Sequence, residues 1–229
     1  MVGSGGHDHF FGREVWHVSG RAYRGLSADE RQADRRERLI SAAYTLYASL
    51  GFPGTTIERL CSEARISNRA FYECFSGREE LLQVVHERCI EEALGSVAKS
   101  VQEAPDTFLG RLEAGIAGYV GFVTQDRRRA RIMHLEVRRA GDQPLLASRE
   151  RTMSAFYKVI EDAPEGTAPV PSGVDPHLLS LAMLGALQEL IVDWVLAEDP
   201  PEVEAVVGAA VHLLRRVFPA SVLQPSEHA

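Results

Sequence analysis

From Ser27 onward the apolar residues of this chain recur at steps of three and four between short polar breaks, and that period commits it to helices. Ser27 followed by Glu30 forms a capping box, in which the hydroxyl accepts a backbone N–H and the glutamate reaches back. The helix it opens carries Leu39, Ala43, Leu46, Tyr47 and Leu50 on one stripe, with arginines on the other face, and stops at Gly51 and Pro53–Gly54. Thr55 with Glu58 makes a second box, backed by Ile57, Leu60, Cys61 and Ala64. Ser67 is expected to cap a short helix from Asn68 to Phe75, and Ser76 with Glu79 to open a longer one through Leu81, Leu82 and Val85. A long helix, two short ones joined by a turn of about three residues, and a fourth helix make a helix-turn-helix head on a connecting helix.

Charge divides the chain in the same place. The net charge is −7, yet basic and acidic side chains balance at twelve each through Ile90, so the acidic excess lies wholly beyond it. The expected organisation is a flexible arm over 1–25, a helix-turn-helix domain over 26–77, and a helical body over 78–229 whose first part, 78–101, is the connecting helix. An electroneutral head cannot hold DNA by bulk charge and must place its arginines on one face. Arg13, Arg21 and Arg24 give the arm a route to a minor groove. His7, Asp8 and His9 lie in that aperiodic arm and read as a solvated tail, so no metal site is expected. Cys61, Cys74 and Cys89 are an odd count without metal-ligand spacing, consistent with reduced thiols. No unbroken apolar run is long enough to span a bilayer and no secretory leader is present, so a cytoplasmic protein is expected.

The segment GFPGTTIERLCSEARISNRAFYECFSGREELL, Gly51 to Leu82, closely resembles the TetR family of bacterial regulators. The resemblance rests on Gly51–Phe52, Thr55–Thr56–Ile57, Ala64, Ile66–Ser67, Tyr72 with Phe75, and Arg78. It departs from the family pattern at Arg65, where glycine is usual, and at Arg78, where lysine is commoner. It implies an all-α fold with an N-terminal three-helix DNA-binding domain and a C-terminal helical bundle for ligand binding and dimerisation. The DNA-contacting set implied is Thr56, Arg65, Ser67, Asn68, Arg69, Tyr72 and Arg78. Recognition-helix chemistry agrees, since arginine can pair with guanine O6 and N7 and asparagine with adenine. Thr56 and Tyr72 offer hydroxyls to phosphates, and Arg78 sits where a helix N-terminus attracts an anion. Ile57, Leu60, Ile66, Ala70, Phe71 and Phe75 are assigned to the core.

Beyond Val101 the pattern is a helical bundle. One helix is expected from Thr107 to Thr124, with Gly115, Gly118 and Gly121 at three-residue steps that admit a close neighbour. An Arg-rich helix near Asp126–Arg139, another from Gln143 to Ile160, and a loop over Pro164–Pro176 follow. The helix from Pro176 to Ala197 is apolar nearly all round and requires burial on more than one side. Pairing it and the last helix with a second copy satisfies both, through Leu184, Leu187, Ile191, Trp194, Val203, Val207, Ala210 and Leu214. The resemblance adds a small-molecule site in the bundle, for which Tyr119, Phe122, Met133, His134, Met153, Phe156, Tyr157 and Met183 are the candidates. Each of these is equally at home as plain core, and His134 has a structural reading as a hydrogen-bonded buried imidazole.

No phosphate-cradling glycine loop and no nucleophile with a positioned base accompanies these features, so neither catalysis nor a cofactor is expected. The function expected is that of a sequence-specific transcriptional regulator on double-stranded palindromic DNA, a homodimer released by a small molecule. An all-helical enzyme and a helical protein adaptor are the rival readings.

Overall fold

A computed structural model describes residues 27–140, 147, 150–151, 154 and 173–217, and all its regular elements are helices. In chain order they are α1 (Ala28–Gly54), α2 (Ile57–Ala64), α3 (Asn68–Tyr72), α4 (Arg78–Gln102), α5 (Phe108–Thr124) and α6 (Arg127–Arg131). A π-helical turn (Ile132–Glu136), α7 (Val137–Ala140), α8 (Pro176–Leu196) and α9 (Val203–Val217) complete the set. The arm, the loop before Pro176 and nearly all of the expected helix over 143–160 lie outside the described residues, and with them Met153, Phe156 and Tyr157.

The Ser27–Glu30 capping box forms as expected. Two other starts differ. Thr56 caps α2, because the Thr55 hydroxyl is buried and donates to the Gly51 carbonyl at 2.8 Å. Gly77 precedes α4 without a side-chain cap, while Ser76 donates to Glu80 rather than pairing with Glu79. The helix capped by Ser67 is shorter than the apolar pattern suggested and ends at Tyr72, leaving Phe75 buried beyond it.

Leu39, Ile40, Ala43, Tyr44 and Tyr47 of α1 are buried against the head on one side and against α6, the π-turn and α7 on the other. The Tyr44 hydroxyl donates to Asp126 at 2.8 Å, tying α1 to the start of α6. α1 is therefore shared between the helix-turn-helix head and the body. The expected Arg-rich helix is broken into three pieces, because the π-turn inserts one extra residue between α6 and α7.

In the body, α5 crosses α4 where Gly118 lies, and the Ser96 hydroxyl donates to the Gly118 carbonyl. A Cβ at Gly118 would stand 2.4 Å from the Ser100 Oγ, so this glycine permits a close approach, whereas a Cβ at Gly121 meets nothing within 4 Å. Arg127 caps the end of α8 through the Val195 and Ala197 carbonyls, and Arg215 grips Glu113 with two bonds of 2.6 and 2.9 Å, fastening α9 to α5. Ile191, Trp194, Ala210 and Leu214, expected between two copies, are buried inside the single chain. A helix apolar all round spends one face on its own bundle, and Ile191 and Trp194 lie on that face of α8, as Ala210 and Leu214 do on the buried face of α9.

By length and composition alone α8 would reach across a bilayer, with mean hydropathy 1.6 over His177–Leu196, a test that the core helix of a globular protein also passes. The same helix carries Glu189, bonded to Arg138, and Asp193.

The two glycines give a prediction of opposite signs. Gly118→Ala should lower stability by about 1–3 kcal/mol through overpacking against α4. Gly121→Ala should raise it by up to about 1 kcal/mol, through helix propensity alone. Urea unfolding of the two variants measures both, and equal shifts would contradict the packing described.

Candidate nucleic-acid interface

α3 has an inner and an outer side. Ala70 and Phe71 turn inward, and Phe71 packs with Phe75 at 6.2 Å between ring centroids. Ser67, Asn68, Arg69 and Tyr72 turn outward and are exposed. The Ser67 hydroxyl accepts the Ala70 N–H, which fixes the first turn of the helix. The Arg69 side chain is 90% exposed and pairs with Glu73 at 3.2 Å across one helical turn. An exposed pair of this kind contributes roughly 0.3–0.5 kcal/mol, so a nucleotide can displace Glu73 at little cost. Tyr72 is 60% exposed with its ring edge-on to Phe71 at 5.4 Å, so a rigid aromatic base carries the hydroxyl outward.

The turn between α2 and α3 is set by Arg65, which caps α2 at φ 54°, ψ 50°. This is the left-handed region that glycine occupies without penalty, so the non-glycine residue is accommodated at a backbone cost. Its N–H reaches the Ser62 carbonyl and the Ile66 N–H reaches Cys61, closing the turn, while the Arg65 side chain stays exposed. Thr56 is exposed too, but its hydroxyl already accepts the Arg59 N–H.

Arg78 departs from expectation. Its guanidinium turns inward over the Phe52 ring at 4.8 Å and donates to the Phe52 and Thr55 carbonyls. The arginine therefore holds the corner between α1 and α2 rather than facing outward toward a phosphate. Arg36 and Arg38, part of what read as a solvated face, act on the motif from α1. Arg38 donates to the Ala64 and Arg65 carbonyls, and Arg36 donates to Cys74 while lying over Phe75. Arginines just ahead of the apolar stripe of α1 are the sequence signal for this role, and it is indistinguishable from ordinary surface charge.

Of the candidates in the bundle, Tyr119 and His134 meet, with the hydroxyl 3.3 Å from Nε2 and the rings edge-on. Burial pushes the His134 imidazole down to about 3, and the charges of His86 and Arg138 act in the same direction. Its Nδ1 is buried and, among the described residues, has no hydrogen-bond partner. Burial likewise pushes His86 down to about 4, although it also bonds to the Met133 backbone. Met133 and Met183 are buried core, and Phe122 is covered by the Arg129 guanidinium at 3.8 Å. Burial holds the thiol of Cys89 up at about 12 and raises Cys61 and Cys74 as well, so none of the three favours a reactive thiolate.

Arg65→Gly separates backbone from contact. Removing the left-handed strain should raise stability by about 1 kcal/mol, while losing a cationic side chain beside α3 should weaken DNA binding. Thermal melts and binding titrations on the same variant test this, and a drop in stability would contradict the cap geometry.

Known proteins align with this architecture. The profile described as bacterial regulatory proteins, tetR family, matches residues 39–85, which span α1, the helix-turn-helix and the start of α4. The uncharacterized HTH-type transcriptional regulator YerO of Bacillus subtilis is 36% identical over 70 residues, covering 31% of this chain and 24% of that protein. The chain thus matches only about a quarter of that relative's length. The fatty acid degradation regulator FadR from Bacillus halodurans superposes with a TM-score of 0.68 at 16% identity, over 85% of this chain and 97% of that one. FadR from Bacillus subtilis, solved in complex with stearoyl-CoA, gives 0.65 at 17% identity, over 79% and 97%. These likenesses extend the shared fold across the body, and the helix-turn-helix carries the sequence match. Over residues 39–85 the chain is similar to the tetR family of bacterial regulatory proteins, and the fold of that similarity extends through the body.

Proposed function

We propose that this protein is a dimeric transcriptional repressor that holds an inverted-repeat operator and leaves it when a small molecule occupies the C-terminal bundle. The observation that carries the reading is the outer face of α3, where Asn68, Arg69 and Tyr72 stand exposed on a fully packed support. Asn68 and Arg69 lie at the start of the helix, the end that meets base edges in a helix-turn-helix complex. Tyr72, Thr56 and Arg65 flank them at positions suited to phosphate oxygens.

Dimerisation through α8 and α9 is supported by what the single chain leaves uncovered. Leu178 and Leu196 on α8 are 60% and 61% exposed, Leu213 on α9 is exposed, and Leu184, Leu187, Val203 and Val207 are only partly covered. A Cβ at Gly185 or Gly208 would meet nothing within 4 Å, so both helices have room for a close neighbour. A second copy that stacks its own pair there closes a four-helix bundle. The two recognition helices then stand about 34 Å apart, one turn of duplex. Acting on DNA, the protein works in the cytoplasm.

A ligand that prefers a different spacing lowers DNA affinity by its differential binding to the two states, and DNA weakens the ligand equally. Acyl thioesters of coenzyme A are the first class to assay, since the Bacillus subtilis FadR of the same fold holds stearoyl-CoA.

Selection from a random duplex pool at moderate salt tests the proposal. The retained sequences should converge on an inverted repeat with half-sites about one helical turn apart, bound by two chains. Retention of a single half-site by one chain, or no convergence at low salt, would overturn the dimeric reading.

A further inference from the structure

Glu136 is the last residue of the π-turn and its carboxylate is fully buried. One oxygen, Oε2, accepts the backbone N–H of Phe52 at 2.7 Å. The other, Oε1, accepts from the Arg131 Nε and the Arg139 guanidinium, each at 3.0 Å. Phe52 belongs to the head, at the corner where α1 turns into α2, and Glu136 belongs to the body. The bond therefore joins residues 84 positions apart across the seam between the two domains.

The corner is built around this oxygen. Gly51 sits at φ 75°, ψ 164°, a conformation that aims the following N–H into the seam, and a Cβ there would lie 3.1 Å from Oε2. Six residues later the chain enters α2, and α2 with its turn sets the tilt of α3. The angle at Gly51–Phe52 is thus the angle at which the recognition helix leaves the body. Arg78 secures the corner from α4, and Glu136 is its hold on the body side.

The π-turn supplies the geometry. Its extra residue changes the direction of the side chains that follow, and Glu136 points to the head while His134, two residues earlier, faces Tyr119 inside the bundle. One turn of backbone has one side in the bundle and the other on the corner.

We propose that Glu136 is a positioning residue: by binding the Phe52 amide it fixes the tilt of the head against the body. That tilt sets the half-site spacing that a dimer reads. The inference rests on the dimeric reading of an inverted repeat given above. Removing a buried ion pair can also weaken a fold without moving a head, so the test reads spacing rather than affinity alone.

Affinities of wild type, Glu136→Ala, Glu136→Asp and Glu136→Gln are measured on the selected operator and on versions with one base pair added to or removed from its centre. Wild type is expected to favour the selected spacing by roughly tenfold or more, and Glu136→Ala to lose about fivefold or more of that preference. Glu136→Asp should lose it as well, because the shortened carboxylate can keep the two mobile arginines but not the fixed amide. Glu136→Gln should keep the preference to within about twofold, since its amide oxygen still accepts the Phe52 N–H while Arg131 and Arg139, both partly exposed, turn from its NH2 group to water. If Glu136→Ala proves unstable, the contrast between the aspartate and glutamine variants decides. Preference unchanged in Glu136→Ala and Glu136→Asp, or affinity lowered equally on all spacings, overturns the proposal and leaves the dimeric reading standing. A wild type indifferent to spacing overturns both.

Discussion

Where α1 gives way to α2, the helical path breaks at Gly51 (φ 75°, ψ 164°), and Gly51, Phe52 and Thr55 are buried around the break with backbone groups that the helices do not all satisfy. Buried groups of this kind must find partners, because each one left unpaired costs about 1–3 kcal/mol. The rest of the molecule is arranged to supply them. The Thr55 hydroxyl and N–H close the turn on the Gly51 and Phe52 carbonyls. Arg78 reaches from α4 to the Phe52 and Thr55 carbonyls, and Glu136 reaches from the body to the Phe52 amide. The α1–α2 connection, the start of α4 and the body thus meet at one five-residue corner. The Tyr44–Asp126 bond reinforces the same seam one helix away.

That arrangement explains how so short a recognition helix can be rigid. α3 has a single complete turn and little cooperativity of its own. Its order is borrowed from Phe71 and Phe75 underneath, from Ser67 at its start, and from Arg36 and Arg38, which hold the backbone on either side. The support is rigid and apolar while the outer side chains remain hydrated and replaceable, as the Arg69–Glu73 pair illustrates. A surface of that kind suits reversible recognition of a polyanion, whose own hydrogen bonds replace those lost to water and to Glu73.

Much of this was legible in the sequence because it is local. The Ser27 box, the Ser67 cap, the breaker at Gly51 and the inward set Leu60, Ala70, Phe71 and Phe75 follow from spacing within a few residues. At Arg65, where glycine is usual, the sequence leaves open a strained backbone or an altered turn, and the structure has the strained one. What escaped depends on partners distant in the chain. Arg78 reads as an anion holder until the Phe52 ring and the Phe52 and Thr55 carbonyls are placed beside it. Glu136 lies among six arginines and reads as one charge of a solvated face, and only the fold shows it fully buried. The π-turn leaves no local signature, since a run of helix formers looks the same whether or not one residue is extra. For Ile191, Trp194, Ala210 and Leu214, periodicity identified an apolar helix but could not say which face the chain keeps for itself.

The central claim is that the outer face of α3 reads DNA sequence, and the Arg69→Ala variant tests it most directly. Its affinity is compared with that of wild type on the selected repeat and on a scrambled duplex of equal length and salt. Loss of one bidentate base contact per half-site costs about 1–3 kcal/mol each, so the ratio of specific to non-specific affinity should fall by at least about tenfold. Binding to the scrambled duplex should fall far less, because the remaining phosphate contacts carry no sequence information. An unchanged ratio would place sequence reading elsewhere on the protein and contradict the account.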